Sequence, residues 1–75
     1  MSKETLDAKG LKCPMPIVEV AKKVKTMQPG DELEVIGDDP VFKIDIEAWC
    51  SKMGHEILAT KVEGETTTIS LKVAA

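Results

Sequence analysis

Apolar positions recur along this chain with two different periods. In residues 17–27, Ile17, Val20, Ala21, Val24 and Met27 fall at helical spacing, while Glu19, Lys22, Lys23 and Lys25 lie off that stripe. The pattern predicts an amphipathic first helix. Pro29-Gly30-Asp31 then stops it and turns the chain. Residues 40–53 carry Phe42, Ile46, Trp49, Cys50 and Met53 on one face, predicting a second helix with Gly54 as its stop. Asp38-Asp39-Pro40 marks its start, with Asp39 as the cap and Pro40 in the first helical position.

The other apolar stretches are short. Residues 4–8 place Leu6 and Ala8 on one face, residues 32–37 carry apolar Leu33, Val35 and Ile36 in a short, β-branched run, and residues 57–62 and 67–73 alternate. All four read as strands. Glu63-Gly64-Glu65 joins the last two as an antiparallel hairpin. The predicted order is β-α-β-α-β-β, an α+β fold, with the first two strands parallel across a right-handed crossover. One apolar stripe per helix predicts a two-layer α/β sandwich, in which both helices lie on one face of a four-stranded mixed sheet.

Composition narrows the function classes. Seventy-five residues make one domain, 1–75, with little room to enclose a deep pocket. No apolar run approaches the roughly 20 residues that span a bilayer, and the first residues lack a signal-peptide core. The expectation is a cytoplasmic protein with no membrane association. Two distant cysteines and one histidine, His55, form neither a disulfide scaffold nor a zinc pattern. One Trp, one Phe, no Tyr and a net charge of −3 argue against direct nucleic-acid binding. The charge is split, however. Residues 1–27 hold six lysines against three acids, and residues 28–75 hold four against ten. Lys9 and Lys12 lie close to Cys13, where they read either as ordinary surface charge or as a basic rim that lowers the thiol pKa and meets an acidic partner.

The chemistry concentrates in Gly10-Leu11-Lys12-Cys13-Pro14-Met15-Pro16. Pro14 reads as the first helical residue, Pro16 as a member of the opening turn and Cys13 as the cap. Such a cap places sulfur over unsatisfied N–H groups and the positive end of the helix dipole, and both lower a thiol pKa. Cys13 has no resolving thiol three residues on, because Pro16 stands there, and no neighbouring histidine as base. It is therefore poorly equipped for a dithiol redox cycle or for hydrolysis. It can accept a group as a covalent adduct and yield it to another thiol, as a persulfide does. The plain alternative is an inert cysteine chosen for packing.

Leu6-Asp7-Ala8, Gly10-Leu11, Cys13-Pro14-x-Pro16, Pro29-Gly30-Asp31, Asp38-Asp39-Pro40, Asp45-Ile46 and Gly54-His55-Glu56 closely resemble the TusA/SirA family of small sulfur carriers. The likeness spans about residues 5 to 73 and departs nowhere from the core motif. It implies the βαβαββ sandwich, and a role for Cys13 in receiving sulfane sulfur as a persulfide, with Pro14 and Pro16 shaping its turn and Gly10 and Lys12 in support. It implies a cysteine desulfurase or rhodanese-like donor and a downstream acceptor protein. Relays of this type feed tRNA thiolation, cofactor sulfur supply or sulfur oxidation. The carrier itself holds no cofactor or metal, and a monomer is expected. Whether it counts as an enzyme is open, since it is a covalent intermediate rather than an independent catalyst.

Other residues have plainer readings beside functional ones. Cys50 sits on an apolar stripe and reads as structural, or as a secondary thiol that pairs with Cys13 or takes its sulfur. His55 reads as a surface or strand-edge residue rather than a base, and Asp38, Asp39 and Asp45 as ordinary helix-start acids. The competing functions are a cysteine-based thiol redox regulator, in which Cys13 becomes a sulfenic acid, and a non-catalytic interaction module.

Overall fold

The computed structural model describes residues 3–74. Six elements follow in the predicted order: β1 (Lys3–Asp7), α1 (Met15–Lys25), β2 (Glu32–Gly37), α2 (Phe42–Met53), β3 (Glu56–Glu63) and β4 (Thr66–Lys72). The sheet order is β1-β2-β4-β3, with β1 parallel to β2 and the other neighbours antiparallel. The mixed four-stranded sheet of the sequence reading is thus present. Its hairpin is arranged so that β4, the last strand, lies inside and β3 forms an edge.

The two periods account for the core. On β2, Leu33 and Val35 point into the core while Glu32 and Glu34 occupy the other face. Across the β2–β4 ladder, Leu33 opposes Leu71 and Val35 opposes Ile69, and all four are fully buried. Val20 from α1 and Phe42, Ile46 and Cys50 from α2 complete that layer, with Ile17, Val24 and Trp49 packed at its margin. The spacing of Phe42, Ile46 and Cys50 keeps them on one helical stripe.

Several boundaries differ from the sequence expectation. Helix α1 begins at Met15, with Pro14 in the cap position and Pro16 inside the first turn. It ends at Lys25, so Met27 reaches the core from beyond the helix. Helix α2 begins at Phe42 rather than Pro40, with Val41 in the cap position. Met53 has the helical phase of a core residue yet is 54% exposed, because phase buries a side chain only where another layer faces it. Strand β3 does not alternate cleanly. A register shift between Ile57 and Ala59 interrupts its pairing with β4, and both Leu58 and Val62 are exposed. Bulges of this kind are common on edge strands.

The turn at Pro29-Gly30-Asp31 is stitched to the end of the chain. The Gly30 N–H donates to the Val73 carbonyl at 2.9 Å, and the Val73 N–H donates to the Asp31 carbonyl at 2.8 Å. His55 has a similar fastening role. Its Nδ1 accepts the Ala74 N–H at 2.9 Å, and its ring lies 4.9 Å from that of Trp49. Partial burial pushes the imidazole pKa down, consistent with a neutral ring serving as an acceptor.

Candidate functional site

Parallel pairing of β1 and β2 determines where the site forms. Asp7 opposes Ile36 in the ladder, and the Ala8 N–H extends the pairing to the Ile36 carbonyl at 2.7 Å. The segments leaving the two strands therefore run side by side at the carboxyl end of the sheet, where α/β folds gather functional loops. The first segment carries Cys13 and the second carries Asp38 and Asp39.

The cysteine loop is held from both sides. Asp7 Oδ1 accepts the Lys9 N–H at 3.0 Å, and Gly10 then turns the chain at φ 85°, a conformation that side chains with a Cβ rarely adopt. Asp38 Oδ1 accepts the Gly10 N–H at 3.0 Å, and Asp39 Oδ2 accepts the Cys13 N–H at 2.9 Å. The other Asp39 oxygen accepts the Val41 N–H at 3.0 Å. One carboxylate thus joins the start of α2 to the backbone of the cysteine. These N–H groups of Val41 and Cys13, with the nearby Lys12 charge, hold the Asp39 pKa below the usual carboxylate value. The Cys13–Pro14 peptide is cis and leads directly into α1.

This arrangement corrects the expected electrostatics of Cys13. The residue is exposed, but it stands one position before the helix cap, and no side chain hydrogen-bonds the start of α1. The charged groups that shift its thiol pKa are acidic. A hydrogen bond to Asp45 raises the thiol pKa above its ordinary value, helped by slight desolvation and by the negative charges of Asp45 and Asp39. This direction is opposite to the lowering expected from helix dipole and lysines: the influences on the thiol come from acids, and the Lys12 charge acts on Asp39.

Asp38, Asp39 and Asp45 are the residues that sequence reasoning undervalued. It treated all three as ordinary helix-start acids, whereas the structure turns Asp38 and Asp39 toward the cysteine loop, and Asp45, in the first turn of α2, raises the Cys13 thiol pKa. A usable signal was present. Two strands predicted to pair in parallel must bring their following loops together, and one of those loops contains two adjacent acids.

Cys50 lies elsewhere. It is 1% exposed among Phe42, Ile46 and the β-sheet core, and burial pushes its thiol pKa up to about 11. A thiol so placed matches the structural reading and offers no exposed sulfur as a second acceptor. A groove of about 460 Å³ runs beside the cysteine loop from Lys12, past Asp39 and Lys43, to Val62 and Thr67 on the hairpin. The elements flanking Cys13 also expose apolar side chains: Met15 and Val18 on α1, and Val41 and Ile44 at the start of α2. Among the described residues, no helix is long and apolar enough to cross a membrane.

Comparison with known proteins agrees with this geometry. The family described as "Sulfurtransferase TusA" matches residues 4–73. A Bacillus subtilis (strain 168) protein named "Putative sulfur carrier protein YrkF" is 50% identical over 60 residues, which cover 80% of this chain. Those residues are 32% of the relative's length, so the chain spans about a third of it. The crystal structure of the SirA-like protein from Desulfitobacterium hafniense superposes with a TM-score of 0.82, covering 96% of this chain and 99% of the other at 18% identity. That likeness independently supports the fold. With nearly the whole sequence inside the family match, and the sandwich that goes with it, the chain belongs to the TusA sulfurtransferase family.

Proposed function

We propose that this protein is a sulfur carrier in which Cys13 accepts a sulfane sulfur as a persulfide and passes it to the thiol of an acceptor protein. The observation that carries the proposal is the exposed Cys13 on a turn tied down at Gly10 and at Cys13 itself by two carboxylates, within a chain of the sulfurtransferase family. A sulfur handed between proteins must sit where two macromolecules can reach it in succession. An exposed thiol at the carboxyl edge of the sheet suits that task, and Cys50, enclosed by the core, does not.

The transfer is thiol–disulfide chemistry with a terminal sulfur. The Cys13 thiolate attacks the outer sulfur of a donor persulfide, the donor S–S bond breaks, and the donor leaves as a thiolate. The reverse role, as electrophile, delivers the sulfur to the acceptor. A cysteine desulfurase or a rhodanese-like protein is the proposed donor, and a reducing cytoplasm the proposed setting. The exposed Met15, Val18, Val41 and Ile44 supply apolar contact area for such partners around the sulfur.

Intact-mass analysis after incubation with a cysteine desulfurase, pyridoxal phosphate and cysteine tests this reading. Wild-type protein and Cys50→Ser are expected to gain one sulfur atom, removable by reductant, while Cys13→Ser gains none. Repeating the assay with a rhodanese and thiosulfate, and with polysulfide, covers the other donors. Failure to load with every donor, despite a Cys13 that alkylates normally, would sink the carrier reading in favour of a thiol redox regulator.

A further inference from the structure

The cysteine loop has little with which to fix itself. Its backbone closes two short turns, with the Leu11 N–H donating to the Ala8 carbonyl at 3.2 Å and the Met15 N–H to the Lys12 carbonyl at 2.7 Å. Pro14 and Pro16 have no N–H to donate. Two backbone donors cross instead to the segment before α2. The Gly10 N–H reaches Asp38 Oδ1 at 3.0 Å, and the Cys13 N–H reaches Asp39 Oδ2 at 2.9 Å. The two acids are not equivalent. Among the described residues Asp38 uses one oxygen in this way, whereas Asp39 uses both, its Oδ1 accepting the Val41 N–H at 3.0 Å. One planar carboxylate is thus shared between the backbone of the nucleophile and the residue in the cap position of α2. Val41 and Ile44, on either side of the helix start, are exposed.

We propose that Asp39 is a positioning residue for sulfur transfer: by accepting the Cys13 N–H on one oxygen and the Val41 N–H on the other, it holds the nucleophile at a fixed offset from the exposed apolar start of α2 that a donor protein contacts. The inference rests on the carrier reading of Cys13 and adds to it what aligns the thiol with the incoming sulfur.

Alignment matters because the step is an in-line displacement. The Cys13 thiol gives its proton to water, and its thiolate attacks the outer sulfur of the donor's R–S–SH along the axis of the S–S bond that breaks. A new S–S bond forms on Cys13, and the departing R–S⁻ takes up a proton. The sulfane sulfur moves from one thiol to the other, so there is no net oxidation or reduction. A docked protein brings its persulfide along one line and cannot tumble to find the thiol. A misplacement of about 1 Å in such a geometry slows a reaction by up to roughly 10²-fold. A small electrophile free in solution makes no such demand.

Replacing one carboxylate oxygen by an amide NH₂ separates the two bonds of Asp39. In Asp39→Asn a single oxygen remains, and the NH₂ group cannot accept an N–H. Val41 is 2 positions from Asp39 in the chain and Cys13 is 26, so the remaining oxygen stays with Val41 as in a local turn and the cysteine is released. Asp38→Asn removes the same charge but keeps the one acceptor that Gly10 uses.

The test is single-turnover loading of wild type, Asp39→Asn and Asp38→Asn from a cysteine desulfurase carrying its persulfide, with donor concentration varied and the added sulfur counted by intact mass. Asp39→Asn is expected to load about tenfold more slowly at saturating donor, with the half-saturating concentration near that of wild type, and Asp38→Asn to lose much less. Alkylation of Cys13 by iodoacetamide is expected to be as fast in Asp39→Asn as in wild type or faster, since the Asp39 charge raises the thiol pKa and its removal favours the thiolate. Amide exchange in Asp39→Asn is expected to accelerate at Cys13 and to stay at the wild-type rate at Val41. Loading at the wild-type rate, or equal slowing in the two variants, would overturn the role of Asp39. So would alkylation that slows in step with loading, because the loss would then lie in the thiol itself. A rhodanese with thiosulfate replaces the desulfurase in the same comparison if it is the donor that loads wild type. If neither protein loads wild type, the carrier reading falls and the transfer role of Asp39 with it, while exchange at Cys13 and Val41 still decides whether one carboxylate holds both amides.

Discussion

The two cysteines put the same atom into opposite environments, and each environment has a measurable consequence. Cys13 is exposed, with its N–H held by Asp39, whereas Cys50 is packed within α2's buried stripe among hydrocarbon groups. Burial alone raises the Cys50 pKa from about 9.0 to about 11, because the interior disfavours the thiolate. The folded protein therefore keeps a proton that the unfolded chain loses once pH exceeds about 9. This contribution to stability is fully present below pH 9 and is lost as pH rises toward 11, by at most about 2–3 kcal/mol. Lysines titrate in the same window, so the comparison must be with Cys50→Ala. The mutant is expected to be less stable than wild type at pH 8, since it leaves a small cavity. In urea unfolding the gap should narrow by pH 10.5. Parallel losses in the two proteins would contradict the buried-thiol account. The residue scale also shows what sequence could not resolve at Cys13. Its position before a proline-rich helix start suggests a lowered pKa, but hydrogen bonding to Asp45, an acid 32 positions away, shifts it the other way. A side chain's electrostatics belong to its neighbours in space.

At the scale of elements, β2 was the most legible part of the chain, because Leu33, Val35 and Ile36 form a short, β-branched apolar run bounded by turn residues, and its bounds match the expectation at Glu32–Gly37. The helix interiors were equally readable from their stripes. Helix starts were less so. Proline at 14 and at 40 marks the entry to each helix, yet regular backbone begins only at Met15 and Phe42, one and two positions later. Asp39 explains the second case. It accepts the Val41 N–H as a local turn would, and its other oxygen is drawn across to Cys13. The β2–α2 junction has a further constraint at Gly37. A Cβ there would lie 2.5 Å from Cδ1 of Phe42, whose ring is buried and anchors the first turn of α2. Gly37→Ala must displace that ring or the strand. It is expected to destabilise the fold by about 1–3 kcal/mol, as overpacking does, read as a lowered Tm. Because Asp39 and Asp45 flank Phe42 on the same junction, the variant should also change the alkylation rate of Cys13. A Gly37→Ala protein with wild-type Tm would show that the strand yields freely at this point.

Topology joins these local features across the whole molecule. Pairing the first two strands in parallel was foreseeable from the β-α-β order, and it is this pairing that brings the cysteine loop beside Asp38 and Asp39. The inner place of β4 was not foreseeable from alternation alone, since β3 and β4 carry similar patterns and either could border β2. Burial distinguishes them: Ile69 and Leu71 of β4 are fully buried, while Val62 of β3 is 58% exposed. The molecule therefore has a firm centre, β2 and β4, hydrogen-bonded on both sides, and an open edge at β3. Native-state hydrogen exchange should follow that layout. Central amides of β2 and β4 are expected to exchange only through global unfolding, and those on the outer edge of β3 through smaller local openings. The Cys13 amide makes the sharper case. It lies in an exposed loop, where rapid exchange is the default, yet it donates to Asp39 at 2.9 Å. It should be protected well above the level of an exposed loop amide, and Asp39→Ala should abolish that protection while leaving the β2 and β4 amides slow. Equal exchange at Cys13 in both proteins would mean that the loop is not held by Asp39, and that the sulfur is presented by the proline-shaped turn alone.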